Sequence, residues 1–327
     1  MRRRDFIKSV AGSAAAWPLN ALAQRPTLPV VGFIRVGSPD ASAGYVAAFR
    51  KGLAESGYVE GQNVTVEYHW LAGYDQPQTL VADLVRRQAA AIVIPGNTPL
   101  ALAAKAATST IPIIFGTGED PVPLGLVASL AQPGGNATGI NFFSGELVAK
   151  RLRLLHDLMP KAVRVAVLVN PTNVMVTSST LRRVREAAPA IGLQIQILNA
   201  STIGEINAAF ASFAKERPDA LFVGPDSFFT SRRVQFVTLT IRDKIPAIYS
   251  DRDYVVVGGL MSYGTDIADM FRQVGIYTGS VLKGEKPANL PVLQSTKFEF
   301  VINLQTAREL DIEVPSGLLS IADEVIE

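Results

Sequence analysis

Residues able to hold a small charged solute gather where short apolar runs give way to Gly, Ser, Thr, Asn and Asp. Asn97-Thr98-Pro99 follows a run of Ala, Ile and Val. Thr98 suits a helix N-cap and Pro99 the first helical position, so a helix is expected to start there. Its unpaired N–H groups and the Thr98 hydroxyl can hold a carboxylate, or the threonine can simply cap the helix. Gly116-Thr117-Gly118 would let backbone approach a ligand closely, although glycines after a strand also merely turn the chain. Asp120 and Asp226 are the candidate partners of an ammonium group, because a charge-assisted bond needs a fixed carboxylate. Asp226-Ser227 equally fits the cap of the next helix, and Asp120 before Pro121 fits the cap of a helix expected at 122–130. Ser38, Asn170, Thr172 and Ser250 add hydroxyl and amide groups at comparable strand ends. The candidate ligand-binding set is therefore Ser38, Asn97, Thr98, Gly116, Thr117, Asp120, Asn170, Thr172, Asp226, Ser227 and Ser250. Arg35 can take a carboxylate bidentately or sit as a strand-end arginine in water or in a salt bridge. Phe228, Phe229 and Tyr254 can wall a ligand or fill a core, and the core role is the commoner one for such residues.

Catalysis has little to stand on. His69 and His156 are the only histidines, one expected on a strand and the other on a helix, and cysteine is absent. This composition offers no thiolate nucleophile, no disulfide and no plausible metal site. No G-x-S-x-G elbow, P-loop or G-x-G-x-x-G follows any apolar run. Glu119 and Asp120 are adjacent carboxylates that generally point apart, so no proton-transfer role follows from them. Asn136-Ala137-Thr138 matches a glycosylation sequon and reads as coincidence. The expectation is a protein without catalytic residues, cofactor or metal.

Strand-like runs at 30–36, 64–70, 91–94 and 111–115 alternate with helical patterns at 43–56, 76–88 and 99–107. The order returns with strands at 163–169, 193–198, 220–223 and 245–249 and helices at 174–188, 203–216 and 228–244. Such alternation means βαβ units and parallel sheets. The halves also share punctuation: Ile111-Pro112 and Ile245-Pro246 each open a fourth strand. The expected fold is α/β, two doubly wound parallel-sheet lobes rather than one large sheet. A helix is expected at 145–158 between the halves. Beyond Gly258-Gly259 come a strand at 260–263 and a helix at 267–282, and the tail continues through 297–302 and 305–310. That tail suits a chain that returns to the first lobe and crosses again, a three-crossing hinge near Phe142, Tyr263 and Leu293. The lobes are expected to comprise 24–140 with about 264–293, and 141–263 with about 294–327. In doubly wound sheets ligands bind beyond the carboxyl ends of the strands, which is where the candidates lie.

At the N-terminus Arg2-Arg3-Arg4-Asp5-Phe6-Ile7-Lys8 precedes a small apolar stretch and Ala21-Leu22-Ala23. This is the pattern of a signal peptide over 1–23 cleaved after Ala23, and its apolar part is too short for the ~18–20 residues of a membrane span. Arg3-Arg4-x-Phe6-Ile7-Lys8 resembles a twin-arginine signal. The leader carries Arg2, Arg3, Arg4 and Lys8 against Asp5, so without it the formal charge of +2 falls to about −1. No basic surface then argues for nucleic acid.

Several phrases carry a family resemblance: Asp120-Pro121-Val122, Pro133-Gly134-Gly135-Asn136-Ala137-Thr138-Gly139, Leu158-Met159-Pro160, Asn170-Pro171, Ser262-Tyr263-Gly264, Leu282-Lys283-Gly284-Glu285-Lys286-Pro287 and Val301-Ile302-Asn303-Leu304. In this order they resemble the ABC-transporter substrate-binding family, which includes tryptophan-binding receptors. The resemblance implies the type I periplasmic binding protein fold, a Venus-flytrap that closes on a small solute, often an apolar or aromatic amino acid. It also implies a monomer working in the periplasm with an ABC permease in the inner membrane. A receptor for a membrane sensor and an exported enzyme on the same fold are the alternatives.

Overall fold

The computed structural model describes residues 28–327 apart from Asp75, Gln76, Phe143, Ser144 and Glu146. The expected leader and the expected helix start at Gln76 lie outside the described residues. In chain order the first elements are β1 (Val30–Val36), α1 (Ala43–Glu55), β2 (Thr65–Leu71), α2 (Pro77–Arg86), β3 (Ala91–Pro95), α3 (Thr98–Ala107), β4 (Ile113–Thr117) and β5 (Ala137–Asn141). A second series follows with α4 (Val148–Leu158), β6 (Arg164–Val169), α5 (Val174–Ala187), β7 (Gln194–Asn199), α6 (Ile203–Ser212) and β8 (Ala220–Val223). It continues through α7 (Ser227–Ser231), α8 (Arg233–Arg242), β9 (Ala247–Tyr249), α9 (Arg252–Val256) and β10 (Met261–Thr265). The tail adds α10 (Ile267–Leu282), β11 (Leu293–Gln294), β12 (Phe298–Asn303), α11 (Leu304–Glu309), α12 (Ser316–Ile321) and β13 (Glu324–Ile326).

Two sheets result, ordered β11-β5-β4-β3-β1-β2 and β13-β12-β10-β9-β8-β6-β7. Their centres repeat one winding: β2-β1-β3-β4-β5 in the first lobe and β7-β6-β8-β9-β10 in the second. All described pairings are parallel except β10 with β12. Central strands such as β3 and β4 are buried along their whole length, because helices cover both faces. Separate apolar clusters fill the two faces of each sheet.

Sequence expectation and structure differ in three places that matter. The helix expected at 122–130 is absent: Pro121 and Pro123 withhold donors and Gly125 takes φ 71°, so the segment turns instead. The helix expected at 228–244 is split at Arg232, where the Ser231 hydroxyl bonds the Phe228 carbonyl and Arg233 takes that of Thr230. Strand β4 also ends two residues later than expected, which carries Thr117 into the sheet.

The chain passes between lobes after β5, after β10 and after β11, and the passing segments are tied to one another. Thr265 Oγ1 donates to the Phe142 carbonyl at 2.5 Å, Asp266 N to Lys297 O at 3.0 Å, and Ser295 N to Asn141 O at 2.8 Å. Helix α10 leaves the second sheet but packs on α1 of the first lobe. Gly52 and Gly275 permit that close crossing, since a Cβ on either would collide with the other helix's backbone, at the Arg272 and Phe49 carbonyls.

Candidate functional site

The carboxyl edges of both sheets face one cleft, and its floor lies at the two points where each winding reverses, between β1 and β3 and between β6 and β8. This is where doubly wound sheets leave a crevice. The cleft holds about 720 Å³ of space between atoms, mouth included. Among its lining residues are Arg35, Thr98 and Glu119 from the first lobe and Arg151, Asp226 and Asp251 from the second.

On the first-lobe wall, β3 leads through Gly96, at φ 86°, into α3. The α3 cap is Asn97 rather than Thr98: its Oδ1 accepts from Leu100 N at 3.0 Å. Thr98 is thereby the first helical residue, and its hydroxyl points at the neighbouring strand end. Thr98 Oγ1 and Thr117 Oγ1 lie 2.8 Å apart, and Thr98 Oγ1 is 2.9 Å from Glu119 Oε2. Glu119 Oε1 is buried and has no hydrogen-bond partner. Burial raises the Glu119 pKa, opposed by the Thr98 and Thr117 hydroxyls. Arg35, at the end of β1, is buried at 5% exposure, so it is not a strand-end arginine in water. Its Nε donates to Ser42 Oγ at 3.2 Å, its Nη1 to the Pro95 carbonyl at 3.3 Å, and its guanidinium lies 4.9 Å from both the Tyr45 and Phe271 rings. Burial lowers its pKa, with nearby Tyr45, Tyr74, Asp251 and Asp253 opposing.

The second-lobe wall is built around Asp226. Its Oδ1 accepts from Phe228 N at 3.0 Å, Phe229 N at 3.2 Å and Asn170 Nδ2 at 3.1 Å. Its Oδ2 accepts from Tyr74 Oη at 2.6 Å and Asn173 Nδ2 at 2.9 Å. Burial raises the Asp226 pKa, and these donors oppose the shift. Asp251 Oδ2 accepts from Thr230 at 3.2 Å and Ser250 at 3.3 Å, while its Oδ1 is buried without a partner. Burial, with the Asp253 charge adding to it, pushes its pKa up to about 7. Arg151 of α4 is 1% exposed, with its guanidinium 5.5 Å above the Phe222 ring. Burial lowers its pKa to about 10, and the Asp251 charge holds it up against that loss.

The lobes are closed on each other. Tyr74 of the first reaches Asp226 of the second, Ser227 Oγ donates to Gly96 O at 2.9 Å, and Arg233 Nη1 donates to Ala41 O at 3.1 Å.

Of the residues singled out from sequence, Arg35, Thr98, Asp226, Ser227 and Ser250 line the cleft. Asn97, Gly116 and Thr117 lie just behind them: Gly116 O receives Gly96 N at 2.9 Å, and Thr117 bonds Thr98. Asn170 backs Asp226, and Thr172 N and Oγ1 both donate to Asn170 Oδ1. Ser38 and Asp120 serve local turns, accepting from Ala41 N at 3.3 Å and Val122 N at 3.0 Å. Phe228, Phe229 and Tyr254 are buried in the second-lobe core. Sequence reasoning missed Arg151, Asn173, Tyr45 and Tyr74, and gave Glu119 no role. Arg151 had a signal: Val148, Arg151, Leu152 and Leu155 form one buried helical stripe, and an arginine in such a stripe is out of place on a merely structural helix. Among the described residues no group of three or more His, Asp or Glu is placed to hold a metal, and no helix is long and apolar enough to cross a membrane.

Two lobes wound alike, three crossings and a charged cleft between them define a type I periplasmic binding protein fold. The comparisons agree. A curated relative, a tyrosine-binding protein of Clostridioides difficile, is 30% identical over 266 residues, covering 81% of this chain and 76% of its own. A structure of an ABC domain in complex with L-Trp from Streptococcus pneumoniae superposes with TM-score 0.79 at 26% identity, covering 92% of this chain and 100% of that one. A conserved domain protein from Vibrio cholerae gives 0.79 at 25% identity over 91% and 99%. Residues 30–326 match the family described as ABC transporter substrate binding protein, and the chain belongs to that family.

Proposed function

We propose that the cleft takes an aromatic amino acid as its zwitterion and that the closed receptor delivers it to an ABC permease of the inner membrane. One observation carries this reading: a buried cation and a buried anion, Arg151 and Asp251, interact within one cleft wall that also faces the aromatic residues Tyr45, Phe142 and Phe271. A desolvated pair of opposite charges suits a carboxylate and an ammonium carried on one carbon, whereas a plain acid or a plain amine would engage only one of the two. The aromatic side chain then meets Phe271, Met270 and Ile267 of the first lobe. The tyrosine-binding relative and the tryptophan-bound neighbour support the same class.

Asp226 is not the ammonium partner in this reading, because five donors already occupy its two oxygens. Asp251 Oδ1 and Asn173 Oδ1, both buried without partners, take that role. The protein acts as a monomer in the periplasm after its leader is removed at Ala23, and it carries out no turnover. The family match and the Arg-rich, then apolar, N-terminus support this. Lys in place of Arg3 and Arg4 should strand it in the cytoplasm if the twin-arginine route is used.

Calorimetry on the purified protein tests the ligand class. L-Tryptophan or L-tyrosine should bind, while tryptamine and indole-3-propionate, each lacking one head charge, should bind at least ~100-fold more weakly, since each forgoes one of the two charged contacts. Equal binding of indole-3-propionate would remove the ammonium from the reading.

A further inference from the structure

The cleft holds more acceptor capacity than one ammonium needs, and the surplus lies on the opposite wall. Asp251 Oδ1 and Asn173 Oδ1 belong to the second lobe, whose Arg151 lines the same cleft. Asn173 is held that way round because its Nδ2 donates to both Asp226 Oδ2 and Tyr74 Oη, at 2.9 and 3.1 Å, so only its carbonyl oxygen remains to face the cleft. Glu119 is of the first lobe, and its Oε2 is satisfied by the Thr98 hydroxyl while its Oε1 is buried with no partner. The two acids also differ in company. Asp251 interacts with Arg151 and Arg35, whereas the groups acting on Glu119 are the neutral hydroxyls of Thr98 and Thr117 together with its own backbone N–H. A zwitterionic head therefore belongs at Arg151 and Asp251, and what reaches Glu119 is the far end of the ligand.

From this we infer that Glu119 is a specificity residue: its Oε1 accepts a hydrogen bond from a donor on the ligand's aromatic ring, an indole N–H or a phenol O–H, so the site selects tryptophan or tyrosine against phenylalanine. The inference rests on the aromatic amino acid reading and sharpens it to rings that carry a donor. The physical reason is asymmetric. A matching donor gains a hydrogen bond to a charged acceptor, whereas a phenyl ring drives the carboxylate into an apolar contact with nothing to pair it. Burial already raises the Glu119 pKa, and a phenyl ring would force it further toward the neutral acid.

The test is a calorimetric panel of L-tryptophan, L-tyrosine and L-phenylalanine on the wild-type receptor and on Glu119→Leu. The wild type should bind the better of tryptophan and tyrosine about 10- to 100-fold more tightly than phenylalanine, the span expected for leaving a buried acceptor unmatched. Glu119→Leu should erase that preference, chiefly by weakening the donor-bearing ligand and improving phenylalanine. If wild-type phenylalanine binds within about 3-fold of the better donor-bearing ligand, the role of Glu119 is overturned while the aromatic reading stands. A preference that survives in Glu119→Leu overturns it equally. If none of the three binds, the aromatic reading fails and this inference with it. Should Glu119→Leu misfold, Glu119→Met takes its place in the panel, with loss of the preference expected and its survival overturning the role.

Discussion

The two walls of the cleft are built on opposite plans. The second-lobe wall is assembled in advance: Asp226 collects five donors from the β6 loop, the start of α7 and Tyr74, and through them fixes both Asn170 and Asn173. The first-lobe wall is sparse, a short hydroxyl chain from Thr117 through Thr98 to Glu119 that ends in an unmatched oxygen. The two repeats of one winding have thus diverged at their carboxyl edges, one toward a rigid seat for a charged head and the other toward a selective end-stop. A carboxylate in a binding cleft can be architecture or recognition, and the count of donors already bound to it separates the two.

The sharpest way to break this comparison is Asp226→Ala. It would orphan several buried donors at once and should lower unfolding stability by about 3 kcal/mol or more, read by urea denaturation. Thr98→Val, on the sparse wall, should cost no more than about 1.5 kcal/mol in the same assay. Equal losses would dissolve the distinction between the walls. Arg151→Met comes next: amino acid affinity should fall by about 2–3 kcal/mol, roughly 100-fold, and stability should fall with it, because Asp251 stays buried after its cationic partner is removed. A variant that binds normally would place the ligand carboxylate elsewhere.

Acidity should move stability and binding in opposite directions. Asp251, Glu119 and Asp226 all have pKa values raised by burial, Asp251 to about 7. Each holds its proton more tightly folded than unfolded, so the extra stability is absent above the folded pKa and complete only below the ordinary carboxylate range. Ligand-free protein should therefore gain up to about 1.4 kcal/mol per pH unit from Asp251 as pH falls from 7 toward 5. Affinity for an ammonium-bearing ligand should fall over the same interval, as Asp251 loses its charge. Melting curves with and without tryptophan or tyrosine, at pH 5.5 and 7.5, would show both trends, and a ligand-induced shift larger at pH 5.5 would contradict the role of Asp251. The smallest effect is expected of Tyr74→Phe, which removes two hydrogen bonds between the lobes, one donated to Asp226 and one accepted from Asn173. It should weaken all ligands alike by about 1 kcal/mol. The free receptor should also be more open, with a larger radius of gyration by small-angle scattering.

The winding of the lobes was legible because buried parallel strands announce themselves as Val and Ile runs closed by Gly or Pro, and because Ile-Pro opens the fourth strand in both halves. Helix α10 could be delimited from pattern alone at Ile267–Leu282, its buried stripe being long and regular. The cleft was legible only as a set of loops. Asp226 stood out by residue type, but its five donors come from three places in the chain and no local pattern links them. Glu119 and Asp120 looked alike as neighbours, yet one lines the cleft and the other caps a turn in water. What separates them is the Thr98–Thr117 pairing across two strand ends. Arg151 was hidden among Lys150 and Arg153, and only the stripe through Val148, Leu152 and Leu155 marks it as inward-facing.

The interleaving of the chain has a consequence for how the protein is made. The first lobe lacks α10, which seals α1, until residue 282 has been synthesised, and its edge strand β11 comes later still. The second lacks β12 and β13 until the last residues, 324–326, have emerged. Neither lobe can mature alone while the chain is growing, so acquisition of the native state waits on contacts between distant segments and is expected to be slow. A nascent chain stopped near residue 260 would expose the α1 stripe Tyr45, Phe49 and Leu53 and the open edge of β10's neighbour β9, which makes such a fragment a substrate for chaperones and proteases rather than a half-receptor.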